Sequence, residues 1–327
     1  MISEKYLNIV ILLLLIAVPV WAKLADEPFI ITLMTRTVIF AVAAVGLNIA
    51  LGLGGLVSLG HAAFFGLGGY AMGILAFHAQ TFTPLAIGPV EIAGTKSMPL
   101  IWLTAMIISA LAALAIGVLS LRTTGVYFIM ITLAFGQMFY YFSISWPAYG
   151  GEDGLSIYVR NGFPGLNTLD PIQYFAICFA ILLLVLLFNA LLARSPFGLV
   201  LNAARQSATR VESVGLNSNR IKLVAFVFSG AITGLAGALF ADLNRFVSPS
   251  MFSWQMSGEI IVFVIIGGVG RLLGPVLGAL VFVSLEHFLG GLSDYWQIFL
   301  GLLLLLIVLS GSGGVIGMLS GKGRADE

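Results

Sequence analysis

Residues 46–73 read GLNIALGLGGLVSLGHAAFFGLGGYAMG. Nine of these residues are glycine, none is charged, and the polar side chains Asn48, Ser58 and His61 stand isolated among apolar neighbours. The apolar residues run on rather than alternate with polar ones, which favours helix over strand. In hydrocarbon only helices and closed barrels satisfy every backbone hydrogen bond. The reading of this stretch is therefore helices packed at close range inside a membrane, where glycine lets backbones approach. A second glycine-rich run, GGVGRLLGPVLG at 267–278, repeats the theme near the other end of the chain. Glycine-interrupted segments in both halves also suit the broken helices that line transport paths, although the halves show no alignable repeat.

Composition extends this reading to the whole chain. Of 327 residues, 60% are hydrophobic and 9% are charged, against about 25% charged in an average globular protein. So few charges cannot cover a water-facing surface. The net charge of +1 gives no nucleic-acid footprint. One cysteine, Cys178, excludes an intrachain disulfide framework and a cysteine-based zinc site.

A crossing needs roughly 20 apolar helical residues. The sequence predicts an all-α polytopic membrane protein of about ten spans, at 6–22, 29–51, 57–77, 98–121, 124–145, 172–193, 223–243, 256–270, 275–290 and 295–311. Segments 57–77 and 256–270 are glycine-rich and are candidates for broken or re-entrant crossings. With both termini inside, Lys5, Arg122, Arg194, Arg205, Arg210, Arg220, Lys222, Arg271, Lys322 and Arg324 are cytoplasmic, while Lys23, Lys96, Arg160 and Arg245 lie outside and Arg36 lies in a span. This bias favours a cytoplasmic N-terminus and C-terminus. Val20-Trp21-Ala22 before Lys23 loosely resembles a signal cleavage site. Glu4 beside Lys5 weakens that reading, so residues 1–22 are taken as a retained first helix.

The chain reads as one transmembrane domain, 1–327, with no soluble module. Residues 146–171 form an external loop rich in turn residues, as do 78–97. Residues 194–222 form the main cytoplasmic segment and hold five of the fifteen basic residues. A helical patch at 198–213 lies there, between Pro196 and Gly215. Two readings stand for it: an interfacial helix with Arg205 and Arg210 among lipid headgroups, or a docking helix for a cytoplasmic protein.

No phosphate-binding loop, dinucleotide fingerprint or H-E-x-x-H motif occurs, and His61, His78 and His287 are scattered. No cofactor or metal is expected. Ser58 and His61 are too weak a pairing to support a hydrolase. Polar groups within spans are functional candidates by default: Asn48, Ser58, His61, Gln137 and Glu259, with Glu286 and His287 nearer an interface. No acidic ladder suggests a proton relay.

Three runs carry a family resemblance. GLNIALGLGGLVSLGHAAFFGLGGYAMGIL (46–75), RSPFGLVLNAARQSATRVESVGLN with KLVAFVFSGAITGLAGALFA (194–217 and 222–241), and SPSMFSWQMSGEIIVFVIIGGVGRLLGPVLGAL (248–280) resemble LIV-type, branched-chain amino-acid ABC importer permeases. They occur in the family's order, and SLGHAAFFGLGGY and SPSMFSW are M-type in form. The resemblance implies a type II importer-like permease fold in a bacterial inner membrane. It implies a second homologous permease as heterodimer partner, two cytoplasmic ATPase subunits and a periplasmic substrate-binding protein. The chain itself would not be an enzyme. On this reading 194–222 is the coupling segment, with Gly215, Glu212 three residues before it, and Arg205 upstream matching the family's docking positions. Arg210, Val211 and Arg271 depart from the usual small or hydroxyl residues. The path would run between two permeases, past Asn48, Ser58, His61, Gln137 and Glu259. Branched-chain or hydrophobic amino acids are the implied cargo, with urea, short amides or aromatic acids as alternatives. A stand-alone channel or secondary carrier is the reading from another class.

Overall fold

The structure, a computed structural model, describes residues 4–87, 90–291, 296–309 and 314–320. In chain order these form α1 (Glu4–Leu24), α2 (Pro28–Asn48), α3 (His61–Thr81), α4 (Met98–Ser120), α5 (Val126–Ile144), α6 (Pro171–Arg194), α7 (Pro196–Gln206), α8 (Ala208–Ser213), α9 (Ser218–Asn244), α10 (Trp254–Gly267), α11 (Gly274–Gly290), α12 (Trp296–Leu309) and α13 (Gly314–Ser320). Two small antiparallel pairs accompany the helices. In one, β1 (Leu85–Ile87) pairs with β2 (Val90–Ile92); in the other, β3 (Leu155–Ser156) pairs with β4 (Phe246–Val247).

Local chemistry sets the helix starts. Proline occupies the first or second position of α2, α4, α6, α7 and α11, where its missing N–H has no intrahelical partner to lose. Side-chain caps begin others. Asp170 accepts from the Ile172 N–H, Asn217 from Arg220 and Ser253 from Met256, at 3.1, 3.1 and 3.3 Å.

Every span read from the sequence overlaps a helix among the described residues, and the all-α polytopic class holds. Among the described residues seven helices, α1 to α6 and α9, are long and apolar enough to cross a membrane. Segment 57–77 resolves into an irregular stretch and a full 21-residue α3 beginning at His61. Helix α10 has 14 residues, about 21 Å of rise, short of the hydrocarbon thickness. Lys322 and Arg324 lie outside the described residues.

Helix α2 is the axis of the fold. Every residue from Thr37 to Gly52 is buried, because α1, α6, α9, α10 and α11 pack around it. A helix that is apolar on all sides belongs in such a position. Helix α4 shows the inverse of a soluble pattern. Leu100, Leu103, Ile107, Leu111, Leu114 and Val118 form an exposed stripe, while Ala105, Ser109 and Ala113 face inward. Large apolar groups outside and small ones inside suit a lipid-facing helix whose inner face must approach its neighbours. Helices α3 and α9 approach closely: a Cβ built on Gly68 would fall 1.8 Å from the Gly234 carbonyl oxygen.

At the end where α9 terminates, the 146–171 segment is more ordered than a run of turns. It pairs Leu155 with Val247 and Ser156 with Phe246. Asn161 donates to the Asp242 carboxylate from both its amide and its backbone, at 2.8 and 3.2 Å. Arg160 donates to the carbonyls of Thr168 and Leu243, each at 2.9 Å, and stacks over Tyr174 at 4.5 Å.

Candidate functional site

The 194–222 segment is built in two parts that the sequence does not separate. Ser195 caps α7 by accepting from the Gly198 N–H at 3.2 Å. Gly198, Leu201 and Ala204 are buried, so α7 is fixed to the membrane-embedded bundle by one face. At Ser207 the backbone turns extended (φ −158°, ψ 107°), and the Ser207 hydroxyl caps α8 through the Arg210 N–H. A serine that bonds the backbone ahead of it starts a new helix instead of continuing the old one. The predicted 198–213 helix is therefore two helices with a joint at Ser207.

Helix α8 rests on the bundle through buried Val211, and its exit faces away from it. Glu212, Ser213, Val214, Gly215 and Leu216 are exposed, with Val214 at 78%. The helix closes with a Schellman turn: Gly215 N–H donates to Glu212 O at 2.9 Å, and Leu216 N–H to Val211 O at 3.2 Å. That turn needs φ of +87° at Gly215, and nothing lies within 4 Å of a Cβ placed there. The result is a rigid, partly apolar tip with open space around it.

Arg205 points the other way. Its guanidinium donates from Nη1 to the carbonyl of Gly52, in the π-helical turn Ile49–Leu53 that ends α2. Terminal carbonyls of a helix lack intrahelical donors and favour a cation. Asn48 grips the same place from inside. Its Nδ2 donates to Arg271 O at 3.0 Å, and its Oδ1 accepts from the Gly270 N–H at 2.9 Å. Gly52 permits this contact, since a Cβ there would lie 2.4 Å from Asn48 Oδ1 and 2.8 Å from Gly270 Cα. Arg271, noted in the sequence as an unusual residue, thus contributes its backbone to the joint.

Ser58 and His61 sit at the entry to α3, both fully buried. Ser58 Oγ accepts from the Gly60 N–H at 3.2 Å. His61 Nε2 lies 2.7 Å from Ser229 Oγ. Ser229 donates its own proton to the Gly46 carbonyl at 2.7 Å, so its oxygen accepts and the His61 proton sits on Nε2. The serine hydroxyl is committed to a carbonyl and is not activated by the imidazole. Phe64 and Phe226 meet the imidazole edge-on at 5.4 and 5.6 Å. One further hydroxyl, Ser257 on α10, accepts the Ala62 N–H at 2.8 Å, satisfying an orphan donor of the α3 first turn.

Gln137 on α5 and Glu259 on α10 are half-buried and lie apart from this cluster. Among the described residues neither shares a hydrogen bond with Asn48, Ser58 or His61. Glu259 is within electrostatic reach of Arg36 and Glu286, which form a 3.1 Å ion pair between α2 and α11. That pair borders a cavity of about 450 Å³ lined also by Phe29, Thr32 and His287.

Sequence reasoning missed Ser229, Ser257, Asn161 and Asp242. Hydroxyls inside apolar runs were the available signal for the first two, since they bond between helices in membranes. Asp242, 2% exposed at the end of an apolar run, was readable as a buried charge in need of a partner.

A family described as "Branched-chain amino acid transport system / permease component" matches residues 29–308. The chain is 28% identical to the high-affinity branched-chain amino acid transport system permease protein LivM of Salmonella typhimurium, over 88% of this chain and 70% of that protein. It is 27% identical to LivM of Escherichia coli K12, over 97% of this chain and 76% of that protein. A shorter similarity, 27% over 45% of this chain and 41% of the relative, joins it to the autoinducer 2 import system permease protein LsrC of Yersinia enterocolitica. No solved structure matches.

Proposed function

Because this chain belongs to the family of branched-chain amino acid transport system permease components, we propose that it is the M-type subunit of an ATP-driven importer for leucine, isoleucine, valine and similar hydrophobic amino acids. Its partners in this reading are a second, homologous permease, two cytoplasmic ATPase subunits and a periplasmic binding protein. The membrane is a bacterial inner membrane, with both termini on the cytoplasmic side.

The observation that supports this most is the division of labour in 194–222. Helix α7 is anchored in the bundle by one face, while α8 touches it through Val211 and leaves the Gly215 turn exposed. A permease with no energy source of its own needs such a projection to be moved by another protein. Glu212 and Gly215 are the docking positions, and Val214 and Leu216 supply apolar surface for a groove. The 146–171 segment, on the opposite face, receives the loaded binding protein. Half-buried Gln137 and Glu259 border the path between the two permeases. Asn48, Ser58 and His61 support its wall from behind.

Uptake by proteoliposomes holding both permeases and both ATPase subunits, with the binding protein outside, tests the reading. ATP-dependent uptake of branched-chain amino acids is expected. Replacing both positions, Glu212→Ala with Gly215→Val, should cut uptake about tenfold, because a β-branched residue cannot hold φ of +87°. Undiminished uptake in that variant would sink the docking assignment. Uptake of urea, a short amide or an aromatic acid in place of leucine would move the cargo to the alternative class. Uptake without the ATPase subunits would make the chain a channel or carrier.

A further inference from the structure

The contact between Arg205 and Gly52 crosses from the segment outside the bundle to the most buried helix in the fold. We propose that Arg205 is a positioning residue that locks α7 to the π-helical end of α2, so that α7, the 49–55 turn and the 268–271 loop move as one body during transport. This rests on the importer reading above, in which α8 is the part that is pushed.

Four observations converge on it. The Arg205 guanidinium donates to the Gly52 carbonyl. Its aliphatic stem lies along Gly55, where an added Cβ would come within 2.9 Å of Arg205 Cγ. On the far side of Gly52, Asn48 is hydrogen-bonded twice to the backbone of Gly270 and Arg271. Leu201, one turn before Arg205, is fully buried. The side chain, exposed on its outer side, is thus held at its stem by Gly55 and at Nη1, and it ends on a carbonyl that the π-turn leaves without an intrahelical donor. A hydrogen bond from a charged donor into such a site is stronger than a neutral one.

The mechanical consequence follows from the connectivity. A push on α8 reaches α7 across the joint at Ser207, and α9 through the packing of buried Val211 and the Gly215 turn. From α7 it passes through Arg205 to the end of α2, and through Asn48 to the loop that joins α10 to α11. Those helices carry Glu259 and Glu286, so displacement at the docking tip is delivered to the helices beside the path. Arg205 therefore acts within this chain through its Nη1 bond to Gly52, whatever its exposed outer side meets.

The assembled transporter gives the test. Arg205→Ala should leave the two permeases and ATPase subunits co-purifying, while the amount of substrate moved per ATP hydrolysed falls about tenfold. Arg205→Lys, which keeps a cationic donor, should recover most of it. A merely structural role would lower assembly and leave that ratio unchanged, so loss of ATPase co-purification, or an unchanged ratio, overturns the inference. A covalent tether gives a second arm. The Cβ built on Gly55 lies 3.6 Å from Arg205 Cβ, within disulfide range, and the native Cys178 is buried away from it. In a Gly55→Cys, Arg205→Cys double variant, oxidation should restore coupling that the reduced form lacks. Activity in the reduced form that oxidation abolishes would mean that the joint opens during transport, and would overturn the proposal. Absence of ATP-driven uptake in the unmodified complex would instead sink the importer reading on which it rests.

Discussion

Arg36 and Glu286, 250 positions apart in the chain, meet at 3.1 Å and tie the first turns of α2 to the last turns of α11. The Arg36 guanidinium also lies 5.3 Å above the Phe40 ring. Glu259 feels both charges, so one cation faces two carboxylates. Both members of the pair are partly exposed, at 36% and 25%, which limits the pair itself to about 1 kcal/mol. Removing the cation does more than lose the pair, because it leaves two carboxylates facing each other. Arg36→Gln should therefore lower the melting temperature in detergent more than Glu286→Gln does. The double variant should sit above the sum of the two, and strict additivity in that cycle would count against the coupling.

The glycines in α3 and α9 are a second point of leverage. A methyl group at Gly68 has no room, with the Gly234 carbonyl 1.8 Å away. Relief requires the two helices to separate over their whole contact, and the cost is at or above the usual range for overpacking, about 1–3 kcal/mol. Gly68→Ala should reduce folded yield and thermal stability markedly. Gly258→Ala is the matched control, since nothing lies within 4 Å of its added Cβ, and it should behave as wild type. Equal behaviour of the two variants would refute the close-packing argument.

How much of this could be read from the chain differs by kind of feature. Helix positions were legible because lipid enforces them: a continuous apolar run of fixed length has one good solution. The ten segments therefore match helices closely, even where glycine made a full crossing uncertain. The break at Ser207 was not legible, because serine is tolerated within helices and its capping role depends on where its hydroxyl finds a donor. Gly215 was legible as a helix stop, and the Schellman turn is its geometry. Asn48 and His61 were identified as buried polar groups, but their partners, the 270–271 backbone and Ser229, lie far away in sequence and only folding reveals them. The same holds for Arg205, whose charge marked it for an outside partner although one of its donors is given to Gly52.

The Ser229 hydroxyl serves two groups at once: it donates to Gly46 O and accepts from His61 Nε2. Ser229→Ala strands the imidazole N–H in a site with no exposure. An unsatisfied buried donor costs about 1–3 kcal/mol. His61→Phe in the same background removes that stranded donor, and the ring is already surrounded by Phe64 and Phe226. The double variant is expected to be more stable than Ser229→Ala alone. Thermal unfolding of the two proteins in one detergent decides it, and a double variant less stable than the single one would contradict this account.

The last relationship joins the loop at 146–171 to the membrane helices. Asp242 is 2% exposed, and its Oδ1 accepts both donors of Asn161. Thr168 extends the link by donating to the Asn161 carbonyl at 2.8 Å. The segment from 160 to 170 is thus tied to α9 by a buried carboxylate, beside the Arg160 bond to Leu243 O and the Gly162 backbone bonds to Lys96 and Met98. Asp242→Ala removes the acceptor, leaves the Asn161 amide without one, and should cost about 2 kcal/mol locally, since hydrogen bonds to charged groups exceed neutral ones. The β3–β4 pairing does not use Asp242, so loosening should be confined to residues after Ile157. Hydrogen exchange on the purified protein is the measurement. Amides of 160–170 should lose protection in Asp242→Ala, while those of α9 before Leu239 keep theirs. If the loop reads the loaded binding protein, the same variant should raise the concentration of binding protein needed for half-maximal uptake, with the uptake rate at saturation less affected. A fall in the saturated rate with that concentration unchanged would place Asp242 in the transport step and not in reception at the outer face.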